Sequence, residues 1–380
     1  MNYSIEIGKI VEGSLKGDLL KVKNYTQMLI DKLIADGEER TASKFSKLLA
    51  NEEMKELKPN SLDSFTGNIP VDNESRISLA DFISPKENSA NVVLSDNNTN
   101  NLESFILNYK NADKLNQLGV GVSNTLLLYG PPGCGKTECA KWIAKELNLP
   151  LITARLDSMI SSYLGTTAKN IRTLFEYAQR VPCVLFLDEF DALAKARDDN
   201  NELGELKRVV NSLLQNIDTM SKDSLLIAAT NHAELLDSAV WRRFDYKLEI
   251  SLPDQKTIRS MMDLFINDSL KISDKDKDYL SFAFKNLSGS NIEEIIKKSI
   301  RNSVVHDQTY STQNIYKELF LYKNFSNPDE DKKNYQKQVC SYLYNEIGKP
   351  FSYDLISEIL SISKSQIKPL LDNNEGEENE

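Results

Sequence analysis

Eight consecutive residues carry the most specific chemistry in this sequence: Gly130, Pro131, Pro132, Gly133, Cys134, Gly135, Lys136 and Thr137. Their spacing, Gly-x-x-x-x-Gly-Lys-Thr, is that of a loop that cradles phosphates. Polyphosphate is densely anionic, and backbone N–H groups at a helix start point at such a ligand. The three glycines leave no Cβ between backbone and phosphate. Lys136 places a point charge on the terminal phosphates. Thr137 offers a hydroxyl to Mg²⁺, which prefers oxygen ligands. Glu138 follows at the start of the next helix and belongs to the same nucleotide-contacting set.

Downstream residues complete a phosphoryl-transfer chemistry. Asp188 and Glu189 end a wholly apolar run, Cys183-Val184-Leu185-Phe186-Leu187. Adjacent carboxylates at the edge of a buried sheet call for a cation. Asp188 suits Mg²⁺, and Glu189 suits polarising a water aimed at the γ-phosphate. Asp191 reads as structural. Asn231 closes another apolar run and can orient the attacking water. Arg242 and Arg243 sit beside a further strand, with Asp245 as their carboxylate neighbour in sequence. Guanidinium groups suit planar phosphate contact, and in a ring a neighbour's arginine can reach the γ-phosphate.

The elements that must hold these residues alternate. Apolar strands are expected at 126–129, 151–156, 183–187, 225–229 and 246–250. Helices with one apolar face lie between them, among them 138–147, a helix carrying Ile171, Leu174, Phe175 and Ala178, and 202–217. Such alternation predicts an α/β fold, a parallel five-stranded sheet flanked by helices, with ligands at the strands' C-terminal ends. Residues 158–167 read as a loop.

The flanking segments read differently. Residues 1–57 predict a helical hairpin broken at Gly37, either docking a partner or packing on the next domain. Residues 58–101 read as a linker with one or two short strands, and Asp96 to Asn101 as a polar breaker before a helix resumes near Leu102. The α/β core is expected over 102–252 and a small helical lid over 253–310, with helices at 255–268, 274–286 and 290–306. Residues 311–371 predict further helices. Two of them, around a turn at 361–365, either form a helix-turn-helix or simply pack. The acidic residues 372–380 predict a disordered tail.

Composition limits the function. The chain has 380 residues, a formal charge of −10 and 40% hydrophobic residues. It is long enough for two or more units. The negative charge argues against a broad grip on nucleic acid. No apolar run is long enough for a membrane span, and the first residues lack the order of a signal peptide, so a cytoplasmic protein is expected. The four cysteines, 134, 139, 183 and 340, show no metal spacing. Cys139 and Cys183 read as core.

The phosphate loop, Asp188-Glu189, Asn231 and Arg242-Arg243-Phe244-Asp245 occur in an order and at intervals that resemble the AAA family of ATPases, over about residues 100–306. The resemblance implies ATP and Mg²⁺ as cofactors, strand order 5-1-4-3-2, a helical lid and a homo-oligomeric, hexameric ring. It implies that Ser162-Tyr163-Leu164-Gly165 forms a central-pore loop, with Tyr163 gripping a threaded polypeptide or serving as a buried aromatic. It also implies that Ser288-Gly289-Ser290-Asn291-Ile292 lies against the nucleotide. Thr166 and Thr167 replace the acidic residue that usually follows the pore-loop glycine. His232 reads as a loop residue.

Three functions follow. The first is a ring-forming ATPase that remodels or threads a protein partner. The second is a regulatory ATPase that controls a separate effector, such as a subtilisin-like protease in a bacterial defence or toxin–antidote system. The third is a nucleic-acid-binding ATPase switch, resting on Tyr353 to Leu371 with Lys364 and Lys368.

Overall fold

The structure is a computed structural model that describes residues 3–16, 19–53, 70–71, 78–156, 164–180, 182–192, 203–220, 224–266, 270, 272–307, 309–328 and 330–372. The chain divides into two compact units. The first comprises Met1–Val92, Asn98–Gly130 and Lys136–Glu249, and the second Val93–Asn97, Pro131–Gly135 and Ile250–Glu380.

The first unit begins with helices α1 (Ser4–Lys16), α2 (Leu19–Ala35) and α3 (Glu39–Glu53). They pack around Leu29, Ile30, Leu33 and Ala42. Gly37, at φ 80°, breaks α2 from α3 as its position predicts. The expected two-helix hairpin is therefore three helices. Helix α1 escapes a periodicity reading because Ile7, Val11 and Leu15 point to solvent. Its inner face is held instead by Ile10 and by the buried Glu6, which pairs with Lys32.

Strand β1 (Asp81–Ile83) and helices α4 (Asp96–Lys110) and α5 (Ala112–Gln117) follow. The polar run 96–101 is not a breaker but the first turns of α4. Asp96 suits the positive end of a helix. Asn98 is buried there, and its amide donates to the Glu249 carbonyl at 3.0 Å. A buried asparagine with a backbone partner loses the penalty that composition alone assigns to it.

The sheet is built from β2 (Thr125–Tyr129), β3 (Leu151–Arg155), β4 (Val184–Asp188), β5 (Leu225–Thr230) and β6 (Tyr246–Glu249). Its order is β1-β3-β4-β5-β2-β6. The five strands expected from the sequence lie parallel and in the predicted order. A sixth, β1, is added antiparallel on the edge of β3, pairing Phe82 with Ile152. Helices α6 (Lys136–Glu146), α7 (Leu164–Arg180), α8 (Leu203–Asp218) and α9 (Ser238–Trp241) connect these strands. The interior of β2, β4 and β5 is buried. The apolar core gathers Leu127, Leu174, Phe175, Leu185, Leu213 and Leu226 around one face of the sheet. Side chains buried on both sheet faces explain why β4 and β5 read as unbroken apolar runs rather than alternating ones.

The second unit is helical: α10 (Gln255–Phe265), α11 (Asp274–Ala283), α12 (Gly289–Val305), α13 (Thr312–Tyr322), α14 (Lys332–Ser341), α15 (Tyr353–Leu360) and α16 (Lys364–Asp372). The predicted lid and the predicted C-terminal region share one apolar core. Met262, Phe284, Ile292 and Ile296 from the lid meet Leu319, Phe320, Val339, Leu343, Ile356 and Ile367. The acidic tail from residue 373 lies outside the described residues.

Candidate active site

In the first unit the candidate site residues converge at the C-terminal ends of β2, β4 and β5. Helix α6 begins at Lys136, two residues earlier than its apolar spacing predicts. Lys136 is buried, and its ammonium donates to the Gly130 carbonyl at 2.8 Å. Gly130 and Gly135 adopt φ of 137° and 97°, which glycine tolerates and other residues avoid. One turn into α6, the Thr137 hydroxyl donates to Asp188 Oδ2 at 3.2 Å. The backbone N–H of Glu189 donates to Asp188 Oδ1 at 2.9 Å. Both carboxylate oxygens of Asp188 are thus engaged, which fixes its orientation.

The chain turns sharply at this point. Glu189 has φ 53°, a left-handed conformation that costs a non-glycine residue about 1 kcal/mol or more. The turn leaves Glu189 exposed and returns the backbone to the sheet, where the Phe190 N–H bonds the Ala229 carbonyl at 2.9 Å. Asp191 is 4% exposed. It accepts from the Thr230 hydroxyl at 3.1 Å and from the Asn231 N–H at 3.4 Å. The residue read as structural therefore ties the Asn231 backbone to the end of β4. Its signal in sequence was weak: a lone aspartate two residues past the paired carboxylates.

The arginines are not equivalent. Arg243 makes a two-pronged pair with Asp218 at the end of α8, with Nε and Nη2 each 3.1 Å from a carboxylate oxygen. Its Nη1 donates to the Ala239 carbonyl at 3.0 Å. Arg242 is exposed and pairs with no described carboxylate. Phe244 anchors the segment, buried edge-on against Phe190. Asp245 is the carboxylate neighbour visible in local sequence, whereas Asp218 lies 25 residues away.

The second unit holds the middle of the loop. Ser288 caps α12 in a capping box with Asn291. The Ser290 N–H donates to the Gly133 carbonyl at 3.0 Å. A Cβ on Gly133 would meet Ser290 Oγ at 2.1 Å and Ser288 Oγ at 2.7 Å, and its φ is 73°. Gly133 is therefore glycine for two reasons, and the second, close approach of the α12 start, is invisible to the loop motif. Gly289 is buried against Met261 and the Gly133 carbonyl. Pro131 and Pro132 precede Gly133 and Cys134, and Cys134 is buried with its thiol 3.8 Å from the Pro132 carbonyl.

Other expectations resolve at the level of single residues. Tyr163 lies outside the described residues. Leu164 is the first residue of α7, so the loop expected to run to Thr167 ends earlier. Burial pushes the thiols of Cys139 and Cys183 up to about 12, as packed core thiols require. His232 faces Glu234 at 2.9 Å. In the C-terminal helices Lys364 pairs with Asp354, and Lys368 is exposed. No cluster of three or more histidine, cysteine or carboxylate side chains placed to hold a metal occurs among the described residues. No described helix is long and apolar enough to cross a membrane.

Comparison with known proteins gives a consistent result. Residues 126–252 match the family described as "ATPase family associated with various cellular activities (AAA)". The chain is 44% identical over 229 residues to an uncharacterised AAA family ATPase of Sinorhizobium fredii, covering 60% of this chain and 69% of that protein. It is 34% identical over 197 residues to the ATP-dependent zinc metalloprotease FtsH 1 of Phytoplasma mali, covering 50% of this chain and 33% of that one. It is 31% identical over 211 residues to a protein of Methanocaldococcus jannaschii named as a 26S proteasome regulatory subunit homologue, covering 54% of this chain and 56% of that one.

Proposed function

The chain belongs to the AAA family of ATPases, and from that premise we propose that it assembles into a homo-oligomeric ring, a hexamer, and couples ATP hydrolysis to remodelling or threading of a protein partner. The observation that carries the chemistry is the 3.2 Å hydrogen bond from Thr137 to Asp188, which brings the phosphate loop and the carboxylate strand end to one point.

Each residue has a role in this reading. The backbone N–H groups of residues 133–137 and the Lys136 ammonium hold the triphosphate. Thr137 and Asp188 present a hydroxyl and a carboxylate oxygen side by side, a donor set that suits Mg²⁺. When bound there, the ion neutralises charge on the phosphate oxygens. Glu189, turned out of the sheet by its left-handed backbone, accepts the proton of the attacking water. Asn231, tied to Asp191, orients that water. Arg242 and Arg243 of one copy act on the triphosphate held by its neighbour. Gly289 and the start of α12 border the nucleotide, and Tyr163 and Leu164 contact the threaded polypeptide.

Glu189→Gln tests the assignment. The variant is expected to retain ATP binding while turnover falls at least about 100-fold. Unchanged hydrolysis would refute Glu189 as the base. Mass photometry of the same variant, with and without ATP, tests the ring: a mass that stays monomeric at saturating nucleotide would refute assembly.

A further inference from the structure

Within the second unit a chain of polar contacts runs from the phosphate loop to the C-terminal helices. The Gly133 carbonyl accepts from the Ser290 N–H at 3.0 Å. The Ser290 and Ser288 hydroxyls lie 3.2 Å apart. The Ser288 hydroxyl caps α12 by accepting from the Asn291 N–H, and the Ser288 N–H donates back to Asn291 Oδ1, both at 3.3 Å. The Asn291 amide nitrogen then donates to the Tyr322 hydroxyl, at the last turn of α13. Asn291 thus has its acceptor committed to the cap and a donor committed to α13.

Helix α13 cannot slide independently of α12. The Asn302 amide donates to the buried Glu318 at 2.7 Å, and Lys298 pairs with the same carboxylate at 3.0 Å. Ile315 and Leu319 of α13 share the apolar core with Ile292, Ile295 and Ile296 of α12. A shift of α13 therefore carries the α12 cap with it. The cap in turn meets Gly133, whose left-handed φ of 73° leaves no room for a Cβ beside Ser290. Interior contacts this close transmit displacement rather than absorb it.

We infer that Tyr322 is a positioning residue: through Asn291, Ser288 and Ser290 it fixes the Gly133 turn of the phosphate loop, so that the C-terminal helices set how tightly nucleotide is held. The inference rests on the reading of residues 130–137 as the triphosphate site. A loop fixed before binding loses less conformational freedom when its N–H groups close on phosphate. Coupling is reciprocal, so nucleotide binding also biases the surface that α13 to α16 present to a partner.

The test uses the full-length chain and a fluorescent ADP analogue. Tyr322→Phe removes one hydroxyl and keeps the ring. One hydrogen bond is worth about 1 kcal/mol net, so ADP release should accelerate about fivefold, and KM for ATP should rise by a similar factor without a matching fall in kcat. Asn291→Ala should give the same direction, and the double variant should be no worse than Asn291→Ala alone. Unchanged release in Tyr322→Phe, or strictly additive effects, would overturn the relay. Lys136→Ala separates the two readings. Wild-type binding that Lys136→Ala abolishes, with Tyr322→Phe unaffected, sinks the relay alone. A wild-type chain that does not bind ADP sinks the phosphate-loop reading and the relay with it.

Discussion

The two units solve opposite problems. The α/β unit buries mainly aliphatic side chains in its described strands and gathers its candidate site residues around strand ends. There, single hydrogen bonds between neighbours, such as Thr137 to Asp188 and Thr230 to Asp191, set the geometry. The helical unit has no such edge. Its aliphatic core encloses an aromatic cluster, with Phe320 stacked on Tyr316 and Phe325 at centroid distances of 5.9 and 5.7 Å and edge-on to Tyr335 and Tyr342. Polar groups there link helices to one another. The difference teaches that chemistry sits where a rigid sheet ends, and that coupling between elements is built where helices pack.

The sharpest way to break this contrast is at Phe320. If the lid and C-terminal helices are one core, Phe320→Ala should lose about 3–5 kcal/mol in urea unfolding. A loss below about 1 kcal/mol would mean that the C-terminal helices are only a surface appendage. Gly133→Ala comes next. Its methyl group would strike Ser290 Oγ and oppose the left-handed backbone, so nucleotide affinity should fall at least about tenfold by fluorescence titration. Unaltered affinity would show that the loop and the α12 start tolerate separation.

The arginines sharpen the comparison at smaller scale. Arg243→Ala breaks a half-exposed pair with Asp218 and should cost about 0.5–1 kcal/mol of stability, besides its effect on turnover. Arg242→Ala should lower turnover of the assembled protein while leaving the melting temperature unchanged. Equal stability losses in both variants would contradict their different environments.

Acidification should act most weakly. Arg259 pairs with Asp263, Asp274 and Asp278. Hydrogen bonding from Arg259, and then from Lys277, holds the Asp263 carboxyl below its ordinary range. Its contribution is therefore fully present above the unfolded value, near pH 4, and is lost as pH falls through the lower folded value. Asp263→Asn should flatten the fall in melting temperature between about pH 5 and pH 3, and an unchanged slope would discount this cluster.

Much of the α/β unit was legible because its signals are local. An apolar strand, a glycine loop and a helical face each fit within a dozen residues, and the strand order followed from the family resemblance that those motifs carried. A short strand within 58–101 was expected, but not its place on the edge of the sheet, since Asp81–Ile83 is too short to show a period or a partner. Helix α4 was misread at its start because six polar residues look like a breaker until Asn98 finds the Glu249 carbonyl, 151 residues away. The lid helices and the last two tail helices were legible one by one, but α13 and α14 were not separated and the common core was not seen.

The sequence by itself determined which residues can do the chemistry, since phosphate, metal and water each demand particular donors at fixed local spacing. Tertiary structure alone decided which of them are held and by what. Asp191 reaches Asn231, Asp218 takes one arginine and leaves its neighbour, and Tyr322 meets the start of the lid helix. Those outcomes depend on contacts between residues far apart in the chain, and local spacing carries no information about which distant partner folding will deliver.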